Sequence, residues 1–84
     1  MGGMVCAKYE ELIKIMVDSC LTPTQIAQTA GVSVSAVYRF RMGYLVRMDV
    51  AGKICSALGI SCEEVLDFER MEKYRKEQAN RYAK

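Results

Sequence analysis

Apolar residues recur every three or four positions along most of the chain, which is the spacing of an amphipathic α-helix. This pattern predicts a first helix from about residue 5, preceded by an unordered end at residues 1–4. The inner face of that helix carries Tyr9, Leu12, Ile13 and Met16. The same spacing predicts a helix over residues 48–58, with a core face of Val50, Ala51, Ile54, Cys55 and Leu58.

Residues that start and stop helices mark two short helices between these. Thr22 and Gln25 have the spacing of a capping box, and a proline follows Thr22 at the first helical position. Gly31 stands where a helix ends in a left-handed residue, and Ser33 is a good N-cap for the next helix. The sequence therefore predicts two helices joined by a tight turn, over residues 23–29 and 34–41.

The helix over residues 48–58 is followed by a fifth helix in this interpretation. Gly59 ends the former as a left-handed residue, and Ser61 with Glu64 forms a second capping box. Val65, Leu66 and Phe68 are expected to complete the core, and Leu45 or Val46 is expected to be buried in the loop before residue 48.

Beyond residue 68 the composition becomes strongly charged. Acid-first (i, i+4) pairs support a helical extension there, at Glu69–Lys73, Glu72–Lys76 and Glu77–Arg81. We therefore divide the chain into a domain at residues 5–68 and a charged helical tail at residues 69–84. The tail is open to three interpretations, which are a frayed helix, a dimer contact, and a contact with DNA or another partner.

The fold class that follows is all-α, a compact bundle of five short helices with the charged C-terminal helical extension. An apolar fraction of 51% excludes a disordered chain. No apolar run approaches the roughly 18 residues of a membrane span, and no signal-peptide pattern is present. The expected location is therefore cytoplasmic, with no membrane partner.

The cysteines show no pattern of metal ligands. Cys6, Cys20, Cys55 and Cys62 form no C-x-x-C pair, and the chain has no histidine. We expect four reduced thiols, no metal and no cofactor. An enzyme is also not expected, since the chain has no histidine, no Gly-rich phosphate loop and no recognisable carboxylate pair.

The two short helices resemble a known motif. Counted from Pro23, an alanine stands fifth (Ala27), a glycine ninth (Gly31) and an aliphatic residue fifteenth (Val37). These are the signature positions of a helix-turn-helix. The segments GVSVSAVYRF and, after it, VRMDVAGKICSALGI resemble sequences of the Cro/CI-type repressor family, also called XRE-type or lambda-repressor-like. The resemblance covers residues 12–68.

The resemblance implies that the helix over residues 34–41 enters the major groove of DNA and reads bases. It places Val34, Ser35 and Arg39 at base-reading positions. Arg39 can bond O6 and N7 of guanine together, whereas Val34 can contact only a thymine methyl. Tyr38 is a further candidate at the edge of the groove. The alternatives are that Arg39 is a solvated surface charge, that Tyr38 packs against the next loop, and that Val34 is an ordinary surface residue.

Phosphate contacts are expected around this helix. Net charge is only +2, but residues 23–62 alone carry +3. Helix N-termini bind phosphate through free backbone N–H groups, and arginines beside the loop can clamp the DNA backbone. The candidates are Thr24, Gln25, Ser33, Arg41, Arg47 and Lys53, of which Lys53 is equally well explained as a solvated charge.

The expected function is a sequence-specific transcriptional regulator, a small repressor that binds double-stranded DNA as a homodimer on a palindromic site. No small-molecule effector is implied. The alternative is a protein-interaction module of the same fold without specific DNA readout, antitoxin-like or regulated by a partner. Two residues favour this alternative, Val34 and Pro23, because the family often has polar residues at those positions. The low net charge also favours it.

Overall fold

The computed structural model describes residues 3–82, with side chains to residue 77. In this range the chain forms five α-helices and one pair of two-residue strands, so the predicted all-α class is confirmed. The elements are β1 (Met4–Val5), α1 (Tyr9–Ser19), α2 (Pro23–Ala30), α3 (Val34–Arg41), β2 (Val46–Arg47), α4 (Met48–Leu58), a 3₁₀ helix (Cys62–Glu64) and α5 (Phe68–Tyr82).

The prediction of a helix from residue 5 is wrong, because residues 3–8 form an extended segment that we call the N-terminal strap. Met4 and Val5 pair antiparallel with Arg47 and Val46, respectively. Gly3 and Met4, which we expected to be unordered, belong to this segment, whereas residues 1 and 2 lie outside the described range.

Backbone hydrogen bonds explain why the strap is extended. The Gly3 carbonyl accepts from the N–H of Met48, and the Cys6 carbonyl accepts from the N–H of Asp67 at 2.9 Å. The N–H of Lys8 donates to the carbonyl of Val65. The strap thus satisfies its backbone on two distant parts of the chain, and these bonds replace the internal bonds of a helix.

The core lies between the strap and α1 to α4. The α2 helix packs against both α3 and α4, and α1 also contacts both. The strap and each of these four helices contribute side chains with almost no exposure, which include Val5, Leu12, Ile26, Val37, Phe40 and Ile54. Burial of Val46, Ala51 and Cys55 confirms the predicted core of the loop and α4. Tyr9 does not fit the predicted inner face of α1, since 44% of it is exposed.

Local capping fixes the ends of α2 and α3 as the sequence predicts. The Thr22 hydroxyl accepts from the N–H of Gln25 at 3.2 Å, and the Gln25 side-chain oxygen accepts from the N–H of Thr22 at 2.9 Å. Gly31 is left-handed, with φ of +73°. The Ser33 hydroxyl then accepts from the N–H of Ala36 at 3.1 Å. The turn between the two helices is therefore built from the predicted residues.

The segment after α4 differs from the predicted fifth helix. Ser61 and Glu64 do form a capping box, but the helix that it starts is a 3₁₀ helix of three residues. Leu66 forms an isolated bridge with Ala7 of the strap, which interrupts the helix. Phe68 is 55% exposed and does not complete the core. The next helix, α5, begins there, and the Asp67 carboxylate accepts from the N–H of Arg70 at 3.1 Å.

The α5 helix is the least packed of the five. No other element of residues 3–82 packs along its length, although Met71 near its start contacts the core. Among the described side chains, its ion pair joins Glu72 to Arg75 at 3.5 Å, and the predicted pairs of Glu69 with Lys73 and of Glu72 with Lys76 do not form. The predicted pair of Glu77 with Arg81 lies outside the described side chains.

All four cysteines are free thiols. Burial raises the pKa of the Cys55 thiol to about 12, and a contact with the Cys62 thiol adds to the rise. Burial also raises the pKa of Cys6. These two thiols therefore stay protonated and behave as small apolar side chains. No helix in the described range is long and apolar enough to cross a bilayer.

Gly43, which ends the turn after α3, should not tolerate a side chain. Its φ is +83°, and a Cβ would stand 3.0 Å from Nη1 of Arg70 and 3.4 Å from the carbonyl oxygen of Ala7. We expect Gly43→Ala to lower the free energy of unfolding by about 1–2 kcal/mol, measured by urea denaturation. Gly52→Ala is the matched control, because that site in α4 is open and alanine favours helix. Equal effects of the two changes would contradict this account.

Candidate nucleic-acid interface

The α3 helix presents one face to the core and the opposite face to solvent. Val37 and Phe40 anchor the inner face and are essentially unexposed. The outer face carries Ser35, Tyr38, Arg39 and Met42, all exposed. These four residues are spaced three and four apart, so they form one stripe along the helix. The stripe is therefore held in a fixed orientation by the buried side of the same helix.

Arg39 is anchored on the loop that follows α3. Its Nη2 atom donates to the backbone carbonyl of Leu45 at 3.3 Å. The same loop is held from the other direction, since the N–H of Tyr44 donates to the carbonyl of Arg39 at 2.9 Å. The residue is exposed overall, so its guanidinium group remains accessible at the surface. Arg39 is therefore neither buried nor a freely moving surface charge.

Tyr38 and Arg41 form a stacked pair within α3. The guanidinium carbon of Arg41 lies 5.1 Å from the centre of the Tyr38 ring, which is within the range of a cation–π contact. Arg41 is half-buried, and its Nε atom has no hydrogen-bond partner within the described residues. The Tyr38 ring is thus covered on one side by an arginine, while 44% of the residue stays exposed.

The remaining candidates for phosphate binding surround α3. Thr24 and Gln25 are exposed at the N-terminus of α2, where the Gln25 side-chain oxygen is already used in the cap. Ser33 is exposed at the N-terminus of α3. Arg47 is exposed and its Nε lies 3.3 Å from Oδ1 of Asp49. Lys53 is exposed on α4.

Comparison with known protein families decides what this arrangement is. A sequence model described as Cro/C1-type HTH DNA-binding domain matches residues 11–81. The chain belongs to this family. No curated protein and no solved structure matched the chain in the corresponding comparisons. The resemblance seen in the sequence is confirmed, and α2 and α3 are the two helices of a helix-turn-helix.

Membership of the Cro/C1-type family supports DNA as the partner of this domain, and α3 carries the candidates for base contact. Within that helix the candidates for base contact are not equally placed. Ser35 and Arg39 stand on the outer face, whereas Val34 is half-buried and packs partly against the core. Only part of the Val34 side chain is therefore available to a thymine methyl. The individual roles stay predictions.

Three features of this Cro/C1-type surface were not found from the sequence. One is the hydrogen bond from Arg39 to the Leu45 carbonyl, because every residue has a backbone carbonyl and the sequence does not indicate which one accepts. Another is the position of the strap beside β2, which brings Met4 next to Arg47. The third is the exposure of two large side chains, Tyr44 in the loop after α3 and Met48 at the start of α4. In the described range no group of three or more His, Cys, Asp or Glu side chains is placed to hold a metal ion.

Proposed function

We propose that this Cro/C1-type protein is a sequence-specific transcriptional repressor that inserts α3 into the major groove of DNA. The observation that carries the proposal is the exposed stripe of Ser35, Tyr38 and Arg39 on a helix whose other side is locked into the core. A fixed helix that carries a bidentate donor can discriminate base pairs, because it orders few groups when it binds. We place the protein in the cytoplasm, where a DNA-binding repressor of this kind would act.

We further propose that it acts as a homodimer on a palindromic site. One recognition helix of eight residues makes few base contacts. Two copies related by a two-fold axis would reach half-sites about 34–36 Å apart, one turn of the double helix. The two sets of contacts then contribute together to the affinity. Selection of bound sequences from random DNA tests this directly, because a palindrome reports both readout and symmetry.

We expect Arg39→Ala to weaken binding to the cognate site by about 1–3 kcal/mol and to relax the preference at one base pair of each half-site. The reason is that alanine removes the side chain able to bond two acceptors of guanine at once. The measurement is the affinity for the selected sequence and for its single-base variants. An unchanged preferred sequence would rule out the base-reading role of Arg39.

Arg47→Ala is the matched control for Arg39→Ala. Arg47 is exposed at β2, outside the recognition helix, and we propose that it contacts phosphate. Its loss should weaken binding to all sequences alike and reduce the dependence of affinity on salt. Arg41→Ala should act in the same direction, but it also removes the stacking on Tyr38 and is the less clean control.

The second candidate function is a protein-interaction module that has this fold and no specific DNA readout. It is favoured by the internal contacts of three arginines near α3. Arg39 bonds the Leu45 carbonyl, Arg41 covers Tyr38, and Arg47 pairs with Asp49. Each contact must loosen or rearrange before the same group can bind DNA, which lowers the affinity that these charges supply.

A salt titration separates the two functions. We expect a repressor to bind non-specific duplex at about 50 mM salt and to lose affinity steeply as salt rises, because phosphate contacts release counterions. The measurement is the change in fluorescence anisotropy of a labelled duplex. Absence of binding at the lowest salt would favour the interaction module over the repressor.

A further inference from the structure

The loop after α3, residues 42–45, is attached to both ends of Arg39. The N–H of Tyr44 donates to the Arg39 carbonyl at 2.9 Å, and the Arg39 guanidinium group donates to the Leu45 carbonyl at 3.3 Å. A displacement of this loop would therefore move the backbone of Arg39 and the acceptor of its side chain together. The position of the loop thus decides where the Arg39 guanidinium group stands on the outer face of α3.

A side chain of α5 closes over the middle of this loop. Gly43 is buried and left-handed, with φ of +83°. A Cβ at Gly43 would stand 3.0 Å from Nη1 of Arg70, so little space separates the glycine from the guanidinium group. The same Cβ would stand 3.4 Å from the carbonyl oxygen of Ala7 in the strap. Gly43 is therefore enclosed by the strap and by Arg70.

The Arg70 side chain is itself held in place. Arg70 is half-buried, and its Nη2 atom donates to the Tyr74 hydroxyl at 3.3 Å. Its guanidinium carbon lies 5.9 Å from the centre of the Tyr74 ring. At the backbone, the N–H of Arg70 donates to the Asp67 carboxylate at 3.1 Å. Within the described range no carboxylate forms an ion pair with the Arg70 guanidinium group, so its contacts are with Tyr74 and the loop.

The charge of Arg70 also suits this position. Gly43 directly follows Met42, the C-cap of α3, and the C-terminal end of a helix carries the negative end of its dipole. The α3 helix has only eight residues, and so short a helix depends on contacts with the rest of the protein. Ser33 caps its first turn, and the Arg70 cation stands at the opposite end.

We propose that Arg70 is a positioning residue for Arg39, because it fixes the loop after α3 and thereby the place at which the Arg39 guanidinium group meets DNA. This role rests on the proposed reading of bases by α3. A bidentate pair of hydrogen bonds weakens when its donors are displaced. A loop that relaxes over Gly43 therefore lowers the contribution of Arg39 to recognition, without any contact between Arg70 and a base.

Two other roles of Arg70 would give different results. A direct contact with phosphate would weaken binding to all sequences alike and reduce the dependence of affinity on salt. A contribution to stability alone would lower the midpoint of unfolding and leave the preference among bases unchanged in the folded protein. Only a role exercised through Arg39 changes the preference at one base pair of each half-site.

The experiment compares Arg70→Met with Arg75→Met in the full chain. Methionine keeps an unbranched side chain and removes the guanidinium group. Arg75 lies on the same helix with 77% of its side chain exposed, so its substitution removes the same charge away from the loop. Fluorescence anisotropy measures the affinity for the selected sequence and for a duplex altered at the base pair read by Arg39. We expect Arg70→Met to lower the ratio of these affinities about three- to fivefold, and Arg75→Met to leave it unchanged.

The same comparison in the Arg39→Ala background makes the test specific. Without Arg39, Arg70→Met and Arg75→Met should have equal affinities for the selected sequence, since Arg70 then has nothing to position. If Arg70→Met loses helical content by circular dichroism, Tyr74→Phe replaces it, because it removes one bond to the guanidinium group and keeps the charge. The ratio should then fall about twofold. An unchanged ratio, or a loss that persists without Arg39, would overturn the proposal.

A measurement without DNA separates this role from the repressor. Amide hydrogen exchange by NMR reports the bond from the Tyr44 N–H to the Arg39 carbonyl, and we expect this amide to exchange about three- to tenfold faster in Arg70→Met than in Arg75→Met. Faster exchange in a protein that selects no DNA sequence would contradict the repressor and support the hold of Arg70 on the loop. Unchanged exchange in a variant that still reads its operator would overturn the role of Arg70 and leave readout by α3 intact.

Discussion

Phe40→Ala is expected to lower the free energy of unfolding by about 3–5 kcal/mol. Phe40 has no exposed surface and lies on the inner face of α3, so alanine leaves a cavity directly beneath this helix. Small domains have a total stability at the low end of about 5–15 kcal/mol, so this loss would leave a large unfolded fraction. DNA binding should fall with it, because the outer face of α3 is held in place by this inner face.

Tyr38→Ala is the control for Phe40→Ala. It removes an aromatic ring of similar size from the outer face of the same helix, where 44% of the residue is exposed. We expect it to cost less than about 1 kcal/mol of stability. Urea unfolding followed by circular dichroism compares the two variants. Similar losses would mean that α3 is not oriented with Phe40 towards the core.

Val5→Asp is expected to destabilise the fold by a comparable amount, about 3–5 kcal/mol. Val5 is only 2% exposed in the N-terminal strap, so the substitution removes apolar burial and places a carboxylate among apolar side chains. The expected midpoint of thermal unfolding is correspondingly far below that of the wild type. The strap would then be an integral part of the core.

Met4→Asp gives the matched control at the preceding position. Met4 is 40% exposed and pairs with Arg47 on β2, so an aspartate there remains hydrated next to a basic residue. We expect a change in stability close to zero. If Val5→Asp were tolerated as well as Met4→Asp, the strap could not be docked as the structure has it.

The bounds of α2, α3 and α4 were predictable from the sequence because local chemistry sets them. The Thr22 and Ser33 hydroxyls accept from backbone N–H groups three residues further along, and Gly31 and Gly59 adopt the left-handed conformation that ends a helix. These interactions need no knowledge of the rest of the chain. The apolar period then places Val37 and Phe40 on the same buried side of α3.

The strap was not predictable because its partners are far away in sequence. Val5, Cys6 and Ala7 are three consecutive apolar residues, and so short a run fits the first turn of a buried helix as well as a strand. Backbone hydrogen bonds to β2 and to residues 65–67 favour the strand over the helix, and these partners come near only when the chain folds. The prediction of a fifth helix after Ser61 failed for the same reason, because the bridge between Leu66 and Ala7 of the strap interrupts the helix that the Ser61 capping box starts.

For the candidate site, the sequence predicted which residues belong to it but not what their side chains contact. Ser35, Tyr38 and Arg39 stand on the outer face of α3, opposite the buried Val37 and Phe40. The positions of the guanidinium groups of Arg39 and Arg41 depend on a backbone carbonyl and on a neighbouring ring, and helical spacing specifies neither. Base reading and phosphate binding by these residues stay predictions.

The hydrogen bond between Arg39 and the Leu45 carbonyl has a consequence for how strictly an operator would be read. Discrimination against a wrong base is greatest when that base leaves a donor desolvated and without an acceptor. Arg39 has an acceptor of its own, so at a mismatched base pair it can return to Leu45. The mismatch penalty at this position should therefore lie near the lower end of about 1–3 kcal/mol. A repressor built this way would act on a family of related operators with graded occupancy, and small changes in its concentration would decide which of them are silenced.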